Sequence, residues 1–294
     1  MGKFNKLTFW KLKKVGGFIP LLLIILVLTS SCSRIKWAYR FSDWFIQMRL
    51  ESYFDLNSEQ IPELEKNIQE YKKWHQKEML PKYASFLEEV RKDLKGSSIT
   101  PKIVQVKRLE MEGLGFMTAK PWVDSSVKIY LSLNSSQIKK FEEKIKEDHE
   151  ERLEKLKESS LAEMSLKRAR RMLDFMDIGI KEKQEKIFKE HFKKHPFPFN
   201  ESYARRKKWN ETILTCLKEN KNKEKKSLCI KDHFLNWDKR RTPESKAYRV
   251  HIDDLIARVL NSLDKEQKAS IVAKVGQWIE DFRELAKEVS EASQ

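Results

Sequence analysis

From residue 33 onward, apolar side chains recur every three or four positions, and no stretch alternates apolar with polar long enough to propose a strand. The pattern predicts an all-α fold, an elongated array of antiparallel helices and helical hairpins with no sheet. Helices are expected near 34–54, 57–80, 82–95, 101–117, 135–158, 161–178, 182–194, 201–218, 228–237, 244–262 and 265–288. Punctuation is sparse, with eight Gly and eight Pro in 294 residues. The expected breaks are Gly96-Ser97-Ser98, Lys120-Pro121, His195-Pro196-Phe197-Pro198 and Arg241-Thr242-Pro243, because proline lacks the amide and crowds the preceding turn. Thr100 before Pro101, and Asn200 after Pro198, read as N-caps.

One helix-start signal recurs four times. Leu56-Asn57-Ser58-Glu59-Gln60, Leu133-Asn134-Ser135-Ser136-Gln137, Ile180-Lys181-Glu182-Lys183-Gln184 and Leu263-Asp264-Lys265-Glu266-Gln267 each place Gln four residues after an aliphatic. Eight positions after that aliphatic stand Leu64, Phe141, Phe188 and Ile271, and twelve after it stand Ile68, Ile145, Phe192 and Val275. The repeat caps are therefore Asn57, Asn134 and Asp264, with Gln60, Gln137, Gln184 and Gln267 reaching back to the cap amide. Lys181 is a poor cap, and Pro62 crowds the first copy. The later apolar pairs fall on one helical stripe, which makes duplication or shared packing the reading.

Residues before 33 follow another pattern. Lys3, Lys6, Lys11, Lys13 and Lys14 occur without an acid, and 18–29 is then apolar apart from Pro20 and Thr29. This order is that of a secretory signal. As a helix the apolar run would reach roughly 18 Å, short of the roughly 30 Å hydrocarbon core. Leu28-Thr29-Ser30-Ser31-Cys32 resembles a lipobox, with Thr29 and Ser31 departing from its commonest form. The resemblance implies a cleaved signal over 1–31, a helical periplasmic domain over 32–294, and acylation of Cys32, palmitate included. Ser33 in place of Asp implies outer-membrane sorting, with the domain facing the periplasm. Stable anchoring takes more than one chain, which a multiply acylated cysteine supplies.

The formal charge is +16, and loss of the five signal lysines leaves about +11. Behind a secretory signal the partners of that excess are lipid headgroups, glycolipid or acidic polypeptide, and no nucleic acid is expected. Lys and Glu interleave through 139–157, as on a solvated helix face. With Cys32 taken by lipid, Cys216 and Cys229 remain, either as a disulfide stapling a helical hairpin around a polar tip at 219–227 or as two free thiols. That tip carries Lys218, Lys221, Lys223, Lys225 and Lys226, either an anion-facing cluster or a solvated loop.

The repeat resembles the LTxxQ motif of the Spy and CpxP family of periplasmic proteins, although no copy has Thr at the second position. That likeness implies helical cradles that hold unfolded clients or sense envelope stress. A likeness over nearly the whole mature chain is to uncharacterised bacterial envelope lipoproteins. It rests on Tyr39, Asp43, Trp44, Arg49, Tyr53-Phe54-Asp55-Leu56, Trp74-His75, Glu78, Leu80-Pro81 and Tyr83, with 168–184 and 262–285 also fitting.

Chemistry-bearing constellations are few. His75 with Asp43 or Glu78 would suit acid–base work, but no nucleophile or oxyanion device accompanies them, so an aromatic core with a hydrogen-bonded His is expected. His191 and His195 lie one turn apart, near Glu190 and Asp232-His233, yet Pro196 ends the helix there and Lys193-Lys194 would repel a cation. No catalytic residue, metal or cofactor is expected. The expectation is a non-enzymatic, membrane-tethered binding protein for unfolded or partner polypeptides. The alternative is an assembly factor docking on one envelope partner or on anionic glycolipid.

Overall fold

The computed structural model describes residues 33–96, 98–219, 222–236 and 241–291; residues 1–32, on which the signal and lipid-attachment expectations fall, lie outside them, as do Ser97 and Lys221. The described residues form twelve α-helices and no strand. They are α1 (Arg34–Arg40), α2 (Ser42–Phe54), α3 (Gln60–Glu78), α4 (Leu80–Lys95), α5 (Pro101–Ser132), α6 (Ser135–Glu158), α7 (Leu161–Phe175), α8 (Glu182–Lys194), α9 (Phe199–Glu219), α10 (Lys223–Leu235), α11 (Pro243–Ser262) and α12 (Lys265–Glu291).

Several boundaries depart from the sequence expectation. The segment 34–54 divides at Phe41. Helix α5 does not end near 117 but continues through Pro121 to Ser132. A proline inside a helix removes one amide bond and crowds the turn before it. Here the Tyr71 hydroxyl of α3 donates to the Thr118 carbonyl at 3.0 Å, so a neighbouring helix serves a polar group beside the break. Asn200 lies inside the first turn of α9 and is not its cap. Helix α10 starts at Lys223, capped by Asn222, which shortens the polar tip. Pro62 sits in the first turn of α3, where its amide would lack an intrahelical partner anyway.

All four glutamines act as the repeat requires, and then pair. Gln60, Gln137, Gln184 and Gln267 each accept through Oε1 from the backbone amide three residues earlier. Asn57, Asn134 and Asp264 accept in return from the amides of Gln60, Gln137 and Gln267. Lys181 gives no such return and instead bonds Asp264 at 2.6 Å. Gln60 and Gln137 also exchange amide hydrogen bonds at 3.3 and 2.7 Å, and Gln184 with Gln267 at 3.2 and 3.5 Å. Each side-chain amide then donates to the carbonyl two residues before its partner's cap: Gln60 to Ser132, Gln137 to Asp55, Gln184 to Ser262 and Gln267 to Gly179. Two reciprocal clasps result.

The clasps define two related halves. The carbonyls that the clasps use before repeats one and three, those of Asp55 and Gly179, are equivalent, each standing one residue before the repeat aliphatic. Helices α5 and α11 both end in Ser-Leu, with the serine hydroxyl bonded three residues back. Repeats one and two therefore correspond to three and four. All eight apolar repeat positions are buried. Leu64, Ile68, Phe141 and Ile145 belong to a first core, and Phe188, Phe192, Ile271 and Val275 to a second.

Between its clasped helices each half carries an intervening segment, and the two are exchanged. Helix α4 of the first half puts Ala84, Leu87 and Leu94 into the second core. The hairpin α9–α10 of the second half puts Ile213, Cys216, Leu217 and Ile230 into the first. Cys216 and Cys229 join the hairpin as a disulfide with Cα atoms 5.7 Å apart, worth about 3 kcal/mol for a loop of this length. A third cluster, Ile99, Val104 and Ala257, ties the start of α5 to α11. Beside it Arg108 holds Asp253 through two 2.8 Å bonds, and Glu112 receives Arg108, Arg241 and Arg249.

Candidate functional site: an apolar cleft with an arginine mouth

The second core is not closed. Helix α7 starts on a Ser160–Glu163 capping box and turns Leu166, Ala169 and Leu173 toward α8 and α11, leaving Met172 66% exposed. Between α7, α8 and α11 remains a cavity of about 470 Å³, reached by Leu94 of α4. Ile178, Leu263 and Ile271, around the Gln184–Gln267 clasp, are part of its wall, with Phe188, Phe192 and Ile252. Its rim includes Met172 and Ile256, both exposed. The break at His195-Pro196-Phe197-Pro198 brings Phe197 against Tyr248 (ring centroids 5.6 Å apart). The guanidinium of Arg168 lies 6.0 Å from the Phe197 ring centroid.

Arg168, Ser165 and Phe197 also line a second, polar cavity of about 540 Å³. Into it come Arg49 of α2, Arg152 of α6 and Arg206 of α9, with Asp148 and Glu151 as counter-charges. Those carboxylates are committed, Asp148 to the Tyr53 hydroxyl and Glu151 to Lys155. Among the described residues no ion pair forms to Arg152, Arg168 or Arg206. Burial, and then Arg206 and Arg168, push the Arg152 guanidinium below its usual range, with Asp148 opposing. Burial with Arg206, Lys207 and Arg152 likewise pushes His149 down. Three arginines from three helices thus face one space without carboxylates of their own, an arrangement that accepts a carboxylate or phosphate from outside. The apolar cavity and the cationic mouth meet at Arg168.

Of the residues singled out from sequence, Phe188, Phe192 and Ile271 line the apolar cavity and Arg49 the polar one, while the histidine constellations lie elsewhere. His75 sits among Tyr39, Tyr71, Trp74 and Tyr83, its Nδ1 2.9 Å from the Tyr39 hydroxyl, and burial pushes its pKa down. Asp43 is drawn away to Lys72 and Gln69, Arg49 packs over Tyr53, and Trp44 faces outward. Leu80 is buried where α4 begins, and Pro81 occupies its first turn. Asp43 is therefore engaged away from His75, whose ring nitrogen faces the Tyr39 hydroxyl. Asp232 bonds Asn236, Glu190 approaches Arg258, and His233 packs tilted against Trp209, with ring centroids 3.8 Å apart. Among the described residues no cluster of three His, Cys, Asp or Glu side chains suits a metal. Of the lysine tip, Lys218 pairs with Glu142 at 2.5 Å. Arg152, Arg206, Met172 and Tyr248 escaped the sequence reading, since single arginines on separate helices leave no local pattern.

His191 gives this half a pH dependence. It is 2% exposed, its Nε2 is buried without a partner, and His195 and His251 stack beside it at its end of α8. Burial first, then His195, Arg258 and His251 against Asp254, lower its pKa from 6.5 to about 4. Below pH 6.5 the unfolded chain takes up a proton that the folded chain refuses, so this stability is present above 6.5 and lost as pH falls to about 4. The loss approaches about 3 kcal/mol. Urea unfolding between pH 7.5 and 4.5 should show it, and His191→Phe should flatten that part of the curve; an unchanged slope would contradict it.

A helical protein built on two clasped cores, with one apolar cleft opening beside a cationic mouth, is the class that this geometry defines. Over residues 52–235 the chain matches the family described as a family of unknown function (DUF6279), and it belongs to that family. No curated protein and no solved structure matches it. The matched stretch holds the disulfide, three of the four repeat glutamines and all three mouth arginines, whereas Tyr39, Asp43 and Trp44 precede it.

Proposed function

We propose that this chain is a bacterial envelope lipoprotein, anchored in the outer membrane through acylated Cys32 and facing the periplasm, that binds polypeptides without chemical turnover. The observation that carries the reading is the apolar cavity beside three arginines that lack carboxylate partners. It suits an extended segment whose large apolar side chains enter the cavity while an acidic neighbour meets Arg152, Arg168 and Arg206. Exposed Val106, Leu109, Met111 and Met117 on α5 add adaptable apolar surface of the kind promiscuous binders use. Resemblance of the Gln-capped repeats to the LTxxQ motif points the same way, toward a holding role. Docking on an anionic glycolipid is the second reading, favoured by the arginines and by an acyl-compatible cavity.

Among the described residues the buried apolar core runs from Phe54 to Leu285, all of it within the segment from residue 33 onward. That segment should suppress aggregation of an acidic unfolded client, and less so at high salt. Met172→Glu with Ile256→Glu, both at exposed positions, should abolish suppression while leaving the unfolding midpoint nearly unchanged. No suppression at several-fold molar excess, or full activity in that variant, would remove the reading. Crosslinking in cells separates the two versions, since many polypeptide adducts favour holding and a glycolipid adduct favours docking.

A further inference from the structure

Helix α1 spends its polar face on the body of the protein. Ser33 bonds Asp281, Lys36 bonds Glu284 at 2.6 Å, and Arg40 bonds Glu288 at 2.7 Å, each pair 248 residues apart. This ladder lays α1 along α12 in one register. What α1, the break at Phe41 and the start of α2 turn outward is aromatic: Trp37 is 53% exposed, Phe41 47%, Trp44 55% and Phe45 41%. The rings touch, with centroids 4.9 Å apart for Trp37–Phe41, 4.8 Å for Trp44–Phe45 and 6.4 Å for Trp37–Phe45. Single exposed apolar residues need no explanation, but four rings in mutual contact do. Ile46 and Met48 of α2 are exposed as well. At the edge of this patch Asp43 is paired with Lys72, and Glu65 accepts from the Gln47 amide.

The position of the patch in the chain says what covers it. The Ser33–Asp281 bond fixes where the backbone enters the body, and residues 18–29 just upstream are almost wholly apolar behind five lysines. Such a segment delivers residue 32 to a bilayer surface. Along α1, four residues from Ser33 to Trp37 cover only about 6 Å, and Phe45 follows in the first turn of α2. Tryptophan and phenylalanine are also the side chains that settle at the headgroup boundary.

We infer that α1 and the start of α2 form a membrane seat, in which Trp37, Phe41, Trp44 and Phe45 enter the interface of the bilayer that holds residue 32. The inference rests on the reading that the N-terminal segment anchors the chain. The seat fixes the tilt of the helical body, because α1 is locked to α12 and α12 runs along α4. A lipid tether alone would leave the body free to swing.

The full chain, recovered from the membranes of the cells that make it, can be reconstituted into phosphatidylethanolamine and phosphatidylglycerol vesicles with brominated acyl chains. Trp10→Phe is included throughout, leaving seven tryptophans, of which Trp37 and Trp44 should be quenched by bromine. Trp37→Phe with Trp44→Phe should remove the bromine-sensitive emission without changing flotation, since phenylalanine still fills the seat. Phe41→Ser with Phe45→Ser should reduce quenching of the tryptophans that remain. Flotation without bromine-sensitive emission from Trp37 and Trp44 overturns the seat and leaves the anchor standing. Absence of flotation overturns both. Shielding of Trp37 and Trp44 from aqueous iodide before vesicles are added would put a second copy or the chain's own N-terminal segment on the patch, and so overturn the seat as well.

Discussion

Replacing Gln267 with leucine is expected to lower the unfolding free energy by about 3 kcal/mol, because one buried side chain serves three partners at once. Its Oε1 accepts from the Asp264 amide, its Nε2 donates to the Gly179 carbonyl at 2.6 Å, and both atoms meet Gln184 across the clasp. Leucine keeps the volume and leaves the carbonyl and the cap amide without their partners. Gln267→Glu separates the clasp from mere packing. At neutral pH its carboxylate would face the Gly179 carbonyl and the Gln184 oxygen, so the deficit should be at least as large. The same contacts raise the folded-state pKa of the new acid, so the deficit should shrink as pH falls and the protonated group regains a donor. Chemical denaturation of the three proteins across pH 7.5 to 4.5 checks this. A Glu variant that tracks leucine at every pH would count against the clasp.

Asp253→Ala should cost as much or more, about 3–5 kcal/mol, since it strands a guanidinium in a half-closed setting. Asp253 is 2% exposed and takes both Arg108 bonds. With it gone, Arg108, Arg241 and Arg249 would share only Glu112. The pair also joins α5 to α11, and α11 carries Tyr248, Ile252 and Ile256 of the cleft, so loss of stability and loss of binding should arrive together. A double variant, Arg108→Met with Asp253→Leu, removes both charges and should recover most of the stability. Thermal unfolding of the single and double variants measures it. A double variant as unstable as Asp253→Ala would show that the ion pair is not the source.

The all-helical class and the four helix starts were legible because caps and apolar stripes are local signals. Asn134 and Gln137 act as a capping box, and Phe141 and Ile145 are buried below them, as their spacing implies. What the glutamines do next was not legible. Gln60 meets Gln137 from 77 residues away, and nothing near either residue records the other. The exchange of α4 and α9–α10 between the two cores was hidden for the same reason, since an amphipathic stripe says that a face is buried but not against what. Pro121 misled because the partner for the neighbouring carbonyl comes from Tyr71 on another helix. Exposure of Trp37 and Trp44 was not legible either, because which face of a helix stays uncovered depends on its neighbours.

The cleft inherits its form from this architecture. Ile178, Leu263 and Ile271 are placed by the second clasp, Leu94 arrives on the exchanged α4, and Arg152 and Arg206 come from helices that otherwise serve the first half. A binding surface assembled from both halves should be sensitive to each, which links the stability variants to the functional claim.

That claim, that the cleft holds polypeptide, is tested most directly by a photo-crosslinking amino acid at position 172 in the full chain in cells. Position 228, 61% exposed on the disulfide hairpin, serves as the control. The account predicts polypeptide adducts from 172 that disappear when Arg152, Arg168 and Arg206 are changed to Glu, and few from 228. Adducts equal at the two positions, or none at 172, would contradict it.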